Sequence, residues 1–309
     1  MPGLAAVSGP RFGAVVTAMV TPFDDDGAVD LDAAVTLARW LADHGSDGLV
    51  VTGTTGEGPA LTDDERMALW RAVADAVTVP VLAGTGTAGT DHSVAMTRAA
   101  ESVGVDGILL VTPYYNRPPQ SGIAEHFRQV AAATSLPVVL YDIPVRTGRR
   151  IAPEVLVELA TDVPNIVAVK DATGDPAGAA QVVATTPDHF EVYSGDDAMT
   201  LPLLAVGAVG LVSVASHWAG PALGRMIADF ARGDHDSARL ANASLLASYR
   251  FETSERFPNP LPAKAACRAL GLPVGQCRLP LGPAPADLDA EAARLVASLD
   301  AAVAPHAVA

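Results

Sequence analysis

The 309-residue sequence contains very little lysine. Lysine stands at two positions, Lys170 and Lys264, whereas the remaining 18 of the 20 basic residues are arginines. Only an amine can lose its proton near neutral pH and attack a carbonyl, because a guanidinium stays charged. Lys170, at the end of the apolar run 166–169, is therefore a candidate nucleophile. Lys264 is expected to be a surface charge at the start of a helix.

Cysteine and net positive charge are also scarce. Cys267 and Cys277 are too few for a disulfide framework and lack metal-ligand spacing, which predicts two reduced thiols in a cytoplasmic protein. No histidine pairs with another at ligand spacing, so we expect no metal. A net charge of -15 excludes an electrostatic surface for nucleic acid or for an anionic membrane. The expected partners are small molecules.

Long uninterrupted apolar runs are missing as well. The apolar segment 199–216 is broken by Pro202, Gly207 and Gly210, which favours a buried helix, a stop at Gly207 and a buried strand over a membrane span. Residues 1–13 have no continuous apolar core, so we interpret them as a loose leader rather than a signal peptide.

Eight short β-rich runs recur along the chain, each followed by turn residues and an alanine-rich segment with helical periodicity. Their nearly continuous apolar character is typical of parallel strands covered on both faces. Residues 14–233 thus predict an α/β fold, a (β/α)8 TIM barrel. An open doubly wound sheet is the alternative, but no glycine-rich dinucleotide motif follows the first run. The runs are 15–20, 48–52, 79–84, 107–111, 137–141, 166–170, 190–194 and 209–213.

Helix caps and a change of pattern after the eighth strand complete the predicted organisation. Asp30 precedes a predicted helix at 31–44, and Thr62, with Glu65 three residues later, precedes another at 63–77. From residue 234 onward the pattern changes to Ala/Leu-rich helical segments, which predict a helical C-terminal extension over 234–309.

Unusual residues follow several of the predicted strands, at the end of the barrel where active sites of this fold lie. Three of the five tyrosines, Tyr114, Tyr115 and Tyr141, are among them. A phenol can relay a proton between an amine and a carbinolamine, and Thr54 could bridge two phenols. Arg146 could hold a carboxylate through two parallel hydrogen bonds.

The backbone amides of Gly-Thr-Thr at 53–55 could bind a second carboxylate. Burial in the barrel would lower the pKa of Lys170. These features predict a site for carboxylated carbonyl compounds. Structural alternatives remain open: an ion pair of Lys170 with Asp171 or Asp175, and a helix N-cap role for the pair at 196–197.

The motifs Gly-Thr-Thr-Gly-Glu at 53–57, Thr-Pro-Tyr-Tyr-Asn at 112–116, Tyr-Asp-Ile-Pro at 141–144 and Val-Lys-Asp-Ala-Thr-Gly at 169–174 resemble the dihydrodipicolinate synthase family. That family belongs to the class I, pyruvate-dependent aldolases and lyases. The resemblance implies that Lys170 forms a Schiff base with pyruvate. The enamine would attack L-aspartate 4-semialdehyde and give 4-hydroxy-tetrahydrodipicolinate, in lysine and diaminopimelate biosynthesis, without a metal or organic cofactor.

The resemblance also implies a proton relay of Tyr141, Thr54 and Tyr115. Tyr115 would be lent across a tight dimer interface, and the expected assembly is a homotetramer built as a dimer of dimers.

Four further residues would bind substrate according to the same resemblance. Thr55 would hold the pyruvate carboxylate, and Arg146 would receive the carboxylate of the semialdehyde at the entrance. Gly195 and Val212 would line the pocket through their backbones.

One region departs from the feedback-inhibited members of the family, which bind lysine through polar residues after the Gly-Thr-Thr-Gly-Glu motif and on two following helices. Only Asp63 could offer a carboxylate here, and Arg66 would repel a cation. We therefore expect weak or absent inhibition by lysine. The corresponding positions hold Gly58, Pro59, Asp63, Arg66, Ala88 and His92.

Two other functions compete with this one. A lyase for 2-keto-3-deoxy sugar acids or N-acetylneuraminate would use the same Schiff-base chemistry, but would need hydroxyl-recognising groups where Arg146 stands. A catalytically silent barrel with a binding role would have lost at least one relay residue, and none is missing.

Overall fold

The computed structural model describes residues 9–252, 254 and 256–303. Eight parallel strands close into a barrel in chain order, with β1 hydrogen-bonded to both β2 and β8. The predicted barrel is confirmed, and each predicted strand lies within two residues of an observed one. The strands are β1 (Val15–Ala18), β2 (Gly48–Val51), β3 (Val81–Gly84), β4 (Gly107–Val111), β5 (Val138–Asp142), β6 (Ile166–Asp171), β7 (Glu191–Ser194) and β8 (Gly210–Ser213).

Helices cover the outside of the barrel and form the C-terminal extension. Most connect consecutive strands, and the last three follow the barrel. They are α1 (Leu31–Asp43), α2 (Asp63–Ala74), α3 (Thr90–Ser102), α4 (Gln120–Ala131), α5 (Pro144–Thr147), α6 (Pro153–Asp162), α7 (Pro176–Thr185), α8 (Thr200–Leu204), α9 (Ser216–Ala231), α10 (His235–Glu252), α11 (Leu261–Ala269) and α12 (Ala286–Val303).

The strands are buried on both faces, which explains their continuous apolar sequences. One face contributes to a cluster inside the barrel, where Val16, Val50, Leu109 and Val212 pack together. The other face packs against the surrounding helices in a larger cluster. Tyr141 belongs to the interior cluster, so the barrel core ends directly at the predicted site.

The capping predictions are confirmed at two helices. The Asp30 side chain accepts a hydrogen bond from the amide of Ala33 at the start of α1. Thr62 and Glu65 form a reciprocal capping box at the start of α2. The segment 199–216 also matches its prediction: α8 is followed by Gly207 at φ 106° and then by β8.

Phe12 closes the amino-terminal end of the barrel. Its side chain is buried in the interior cluster, and its amide donates to the Tyr193 hydroxyl at 3.3 Å. Phe12 belongs to the predicted leader 1–13, of which residues 1–8 lie outside the described part. The division into 1–13, 14–233 and 234–309 stays a prediction.

Lys264 lies in α11, and its side chain is fully buried. The prediction of a surface charge is wrong, because the amine is enclosed between Glu57, the carbonyl of Gln276 and the ring of Phe23. In the described part of the chain, no helix is long and apolar enough to cross a membrane, and no three His, Cys, Asp or Glu side chains are grouped so as to hold a metal ion.

Candidate active site

Lys170 lies on β6 opposite Tyr141 of β5 in the sheet register. Its side chain is 5% exposed, and the Nζ atom lies 4.1 Å from the centre of the Tyr141 ring. The sequence placed both residues at strand ends, and closure of the barrel brings amine and phenol into contact.

Burial lowers the pKa of Lys170 from 10.5 to about 8, Asp197 opposes this change, and Arg146 adds to it. The direction agrees with the expectation from sequence. The two carboxylates considered as structural partners are engaged elsewhere. Asp171 accepts the amide of Thr173, whereas Asp175 caps α7. Lys170 is therefore a poorly solvated amine that can be neutral in a sizeable fraction of molecules near neutral pH.

The two neighbouring acids Asp196 and Asp197 have different roles. Asp196 is exposed and caps a short 3-10 helix through the amide of Ala198, as the N-cap alternative proposed. Asp197 is buried and accepts hydrogen bonds from the Ser213 hydroxyl and, at 2.9 Å, from the amide of Val214. Sequence reasoning did not separate the two residues, since only the fold decides which side chain turns inward.

Gly195 lies against the stem of Lys170. A Cβ atom at this position would stand 2.9 Å from Cγ of Lys170 and 2.9 Å from Cβ of Ala172. These separations are below any real contact, so a side chain at position 195 would displace the amine. Glycine at this position leaves space for the lysine.

The segment 52–58 forms a tight turn after β2. Thr52 and Glu57 both adopt positive φ, at 60° and 54°, an unusual conformation for residues with a side chain. The Thr21 hydroxyl donates to the Gly56 carbonyl at 2.6 Å. A Cβ atom on Gly58 would lie 2.3 Å from the Thr52 carbonyl oxygen, so the turn requires this glycine. The turn carries Thr54 and the buried Thr55.

A cavity of about 370 Å³ opens at this end of the barrel. Thr54, Tyr115, Tyr141 and Arg146 all line it. Burial raises the pKa of Tyr141 above its ordinary value of 10, while Arg146 and a hydrogen bond with Thr54 oppose the shift. Tyr141 is thus a neutral phenol at neutral pH and can act as a proton donor.

Tyr115 differs from the other predicted relay residues. Its side chain is 93% exposed, and its backbone has a φ of 70°. A large aromatic side chain with this exposure buries little surface within its own chain. The monomer leaves Tyr115 at the rim of the cavity.

Arg146 lies on α5 at the mouth of the cavity and is exposed. Its Nη2 atom lies 3.4 Å from the backbone oxygen of Asn259. A second cavity of about 350 Å³ shares Thr54, Pro59 and Arg146 with the first and extends toward the C-terminal extension. The entrance is therefore built from both parts of the chain.

The remaining two predicted site residues fall next to this group. Thr55 is buried, and its Oγ1 accepts a hydrogen bond from Nδ2 of Asn259 at 2.9 Å. Val212 lies in the interior cluster with Tyr141. Asn259 was missed as a neighbour of the site. Nothing local in the segment 259–264 indicates that it packs against the turn after β2.

A model of the dihydrodipicolinate synthetase family matches residues 11–299. The chain belongs to this family. The 4-hydroxy-tetrahydrodipicolinate synthase of Bacillus subtilis (strain 168) is 49% identical over 275 residues, which cover 88% of this chain and 94% of that protein. The resemblance inferred from the sequence is confirmed, and with it the predicted synthase reaction of the lyase class.

Solved structures of the family superpose closely on this chain. Dihydrodipicolinate synthase DapA-2 from Bacillus anthracis is 43% identical, with a TM-score of 0.90 over 93% of this chain and 98% of that one. The enzyme from Cyanidioschyzon merolae with lysine bound is 44% identical, with a TM-score of 0.89 over 93% of this chain and 99% of that one.

Proposed function

We propose that Lys170 is the Schiff-base lysine of a 4-hydroxy-tetrahydrodipicolinate synthase. The neutral amine adds to the ketone of pyruvate, and loss of water from the carbinolamine gives an iminium ion. Loss of a methyl proton gives the enamine, whose carbon attacks the aldehyde of L-aspartate 4-semialdehyde and restores the iminium ion. The amino group of the same substrate then adds to the iminium carbon, which closes the ring and releases the Lys170 amine. The observation that carries this proposal is the buried amine with a pKa of about 8, in contact with a neutral phenol.

Protons for these steps pass through Tyr141, Thr54 and Tyr115. Tyr141 contacts the amine directly and shares the cavity with the other two residues. The exposure of Tyr115 supports a position in the active site of a second subunit. The working unit is then at least a dimer, and we propose the homotetramer implied by the family resemblance.

The two substrate carboxylates bind at opposite sides of the cavity. The Thr55 hydroxyl and the amides of the turn 53–55 hold the carboxylate of pyruvate. Arg146, exposed at the mouth, receives the carboxylate of the semialdehyde. Gly195 and Val212 line the pocket through their backbones. The reaction needs no metal or organic cofactor, because the lysine itself activates the ketone, and we place the enzyme in the cytoplasm.

Trapping with borohydride tests the central proposal. Reduction in the presence of pyruvate should add the mass of a reduced pyruvate adduct to the peptide carrying Lys170. Reduction without pyruvate is the control. Absence of a pyruvate-dependent adduct would reject Schiff-base chemistry. Turnover of L-aspartate 4-semialdehyde should exceed that of a panel of sugar-acid aldehydes, because Arg146 suits a carboxylate rather than hydroxyl groups.

Mixing two inactive variants tests whether Tyr115 acts across subunits. Lys170→Arg and Tyr115→Phe would each impair both sites of their own homodimer. A mixed dimer would contain one site with an intact Lys170 from one chain and an intact Tyr115 from the other. Subunit exchange should therefore restore activity. If mixing restores nothing although mixed dimers form, Tyr115 acts within its own chain.

We also propose that lysine inhibits weakly or not at all. The Asp63 carboxylate, which could have bound an amino group, lies 3.0 Å from Nε2 of His92. Arg66 is buried nearby and places a positive charge on the wall of the cavity. The Cyanidioschyzon merolae enzyme, which binds lysine, is a suitable reference in the same titration. Strong inhibition at sub-millimolar lysine would contradict this proposal.

A further inference from the structure

The turn that carries Thr54 and Thr55 is attached to the C-terminal extension by three residues. Asn259 contacts Thr55 at the start of the segment 259–264. Lys264 forms an ion pair with Glu57, and the amide of Arg278 donates to the same carboxylate. Residues separated by about two hundred positions in the sequence thus meet at the turn that carries Thr54 and Thr55.

The ion pair is fully enclosed. The side chains of Lys264 and Glu57 are each 1% exposed, and Nζ lies 2.8 Å from Oε1. The amine also donates to the carbonyl of Gln276 at 2.8 Å and lies 4.1 Å from the centre of the Phe23 ring. Burying two charges costs desolvation that their attraction roughly offsets, so stability alone does not explain the pair. The close approach of Nζ to Oε1 determines where the Glu57 carboxylate sits.

Glu57 transmits that constraint to the turn. Its backbone is held at φ 54°, and its second carboxylate oxygen accepts the amide of Arg278 at 2.9 Å. The Glu57 amide donates to the carbonyl of Thr54 at 3.1 Å. Two residues of the extension, Lys264 and Arg278, thus hold the Glu57 carboxylate. The backbone of Glu57 is hydrogen-bonded to Thr54, a proposed relay residue.

Asn259 acts on the other threonine through a defined hydrogen-bond direction. Its Nδ2 donates to Oγ1 of Thr55, so the amide uses an acceptor position of the hydroxyl and leaves the hydroxyl hydrogen unused. That hydrogen can then be donated to an anion in the cavity. A hydrogen-bond acceptor in place of Nδ2 would instead accept the hydroxyl hydrogen of Thr55.

We propose that Asn259 and the Lys264–Glu57 pair are positioning residues for the pyruvate carboxylate. Asn259 keeps Thr55 oriented as a donor, and the buried pair holds the turn 53–57 in the geometry that binding requires. The C-terminal extension is then part of the substrate-binding machinery. The inference rests on the proposed role of Thr55, and its tests therefore include a measurement that does not depend on activity.

Asn259→Asp is the sharpest variant, because it keeps size and shape but replaces the donor with an anionic acceptor. The KM for pyruvate should rise about ten- to hundredfold, the equivalent of one hydrogen bond to a charged group. The KM for the semialdehyde and the rate at saturating pyruvate should change far less. Asn259→Ala should raise the KM for pyruvate by a smaller factor. Equal KM values in all three proteins would overturn the role of Asn259.

Lys264→Met tests the ion pair, and Glu57→Gln/Lys264→Met removes both charges without leaving one unpaired. Arg268→Met is the matched control, because Arg268 pairs with Asp289 and binds the Gly275 carbonyl within the extension, without contact to the turn. The double variant should raise the KM for pyruvate, and the control should not. Identical KM values for both would reject the positioning role, and the double variant decides this if Lys264→Met fails to fold.

Hydrogen exchange in the wild-type protein provides a test that needs neither variants nor turnover. The amides of Glu57 and Gly58 are hydrogen-bonded within the turn. If the extension holds the turn, they should exchange through the same opening as the amides of α11. Much more frequent opening of the turn alone would overturn the proposal. A wild-type protein that traps no pyruvate would instead reject the proposed function, whatever the exchange result.

Discussion

The amine of Lys170 lies over the ring of Tyr141, with Nζ 4.1 Å from the ring centre. The two residues are direct partners in the register between β5 and β6. Parallel pairing therefore fixes the proposed nucleophile and the neighbouring phenol relative to each other, without dependence on a loop. Changes at either residue, or at the residues that pack against them, should affect chemistry before they affect folding.

Lys170→Arg should abolish pyruvate trapping and reduce turnover by at least about 10⁴-fold, because a guanidinium cannot form the Schiff base. Mass spectrometry after borohydride reduction measures the first effect, and a coupled assay measures the second. Lys264 is the internal control, since it is the other lysine of the chain and should stay unmodified. Full activity of the variant would show that Lys170 is not the nucleophile.

The rate of trapping should increase with pH and have its midpoint near pH 8, because the pKa of Lys170 is lowered to about 8 and only the neutral amine reacts. Asp197 raises that pKa, so Asp197→Asn should move the inflection to lower pH. Asp196→Asn is the matched control at an exposed neighbour. Initial rates with cyanoborohydride between pH 6 and 10 measure the profile. An inflection that stays in place in Asp197→Asn would contradict this account.

Gly195→Ala should impair Schiff-base formation while the protein remains folded. The new Cβ would overlap with the stem of Lys170 at 2.9 Å and would push the amine away from Tyr141. A misplaced reacting group costs on the order of 10²-fold in rate. Gly89→Ala is a suitable control, because no atom lies within 4 Å of a Cβ built there. Single-turnover trapping and thermal denaturation together distinguish the two variants, and equal trapping rates would disprove the steric argument.

Asp142→Asn should change how stability depends on pH. Burial raises the pKa of Asp142 from 3.8 to about 7, with the amide of Ile151 opposing the shift. The folded protein thus keeps a proton that the unfolded chain loses, and this contribution is complete below pH 4 and disappears as pH rises through 7. Asparagine cannot ionise, so the variant does not lose this stability. Its free energy of unfolding relative to the wild type should therefore increase with pH, by at most about 4 kcal/mol at pH 8.

Urea unfolding of both proteins at pH 5 and pH 8 measures this difference. The variant should lose less unfolding free energy between the two pH values than the wild type does. Parallel changes in both proteins would mean that Asp142 titrates at its ordinary pKa.

Patterns that act over a few residues predicted most of the barrel. Apolar runs gave the eight strands to within two residues, and the caps at Asp30 and Thr62 placed two helix starts. Lys170, Tyr141, Thr54 and Arg146 were proposed as site residues because strand ends of a barrel meet at one edge. They lie close together because the barrel topology brings the strand ends to one edge, and the periodicity of the sequence already indicated that topology.

Burial of individual polar groups could not be predicted in the same way. Asp196 and Asp197 are neighbours of identical chemistry, yet one is exposed and the other is buried against Ser213. Lys264 stands at a helix start with no local sign of its partner. The partner of Lys264, Glu57, lies on a turn far away in the sequence. The sequence alone determined the fold, the family and the chemical groups of the proposed site, because these depend on local periodicity and residue type. Only the tertiary structure decided that Lys264 is buried against Glu57 and that Asp197 rather than Asp196 turns inward, because burial and pairing depend on contacts between segments far apart in the chain.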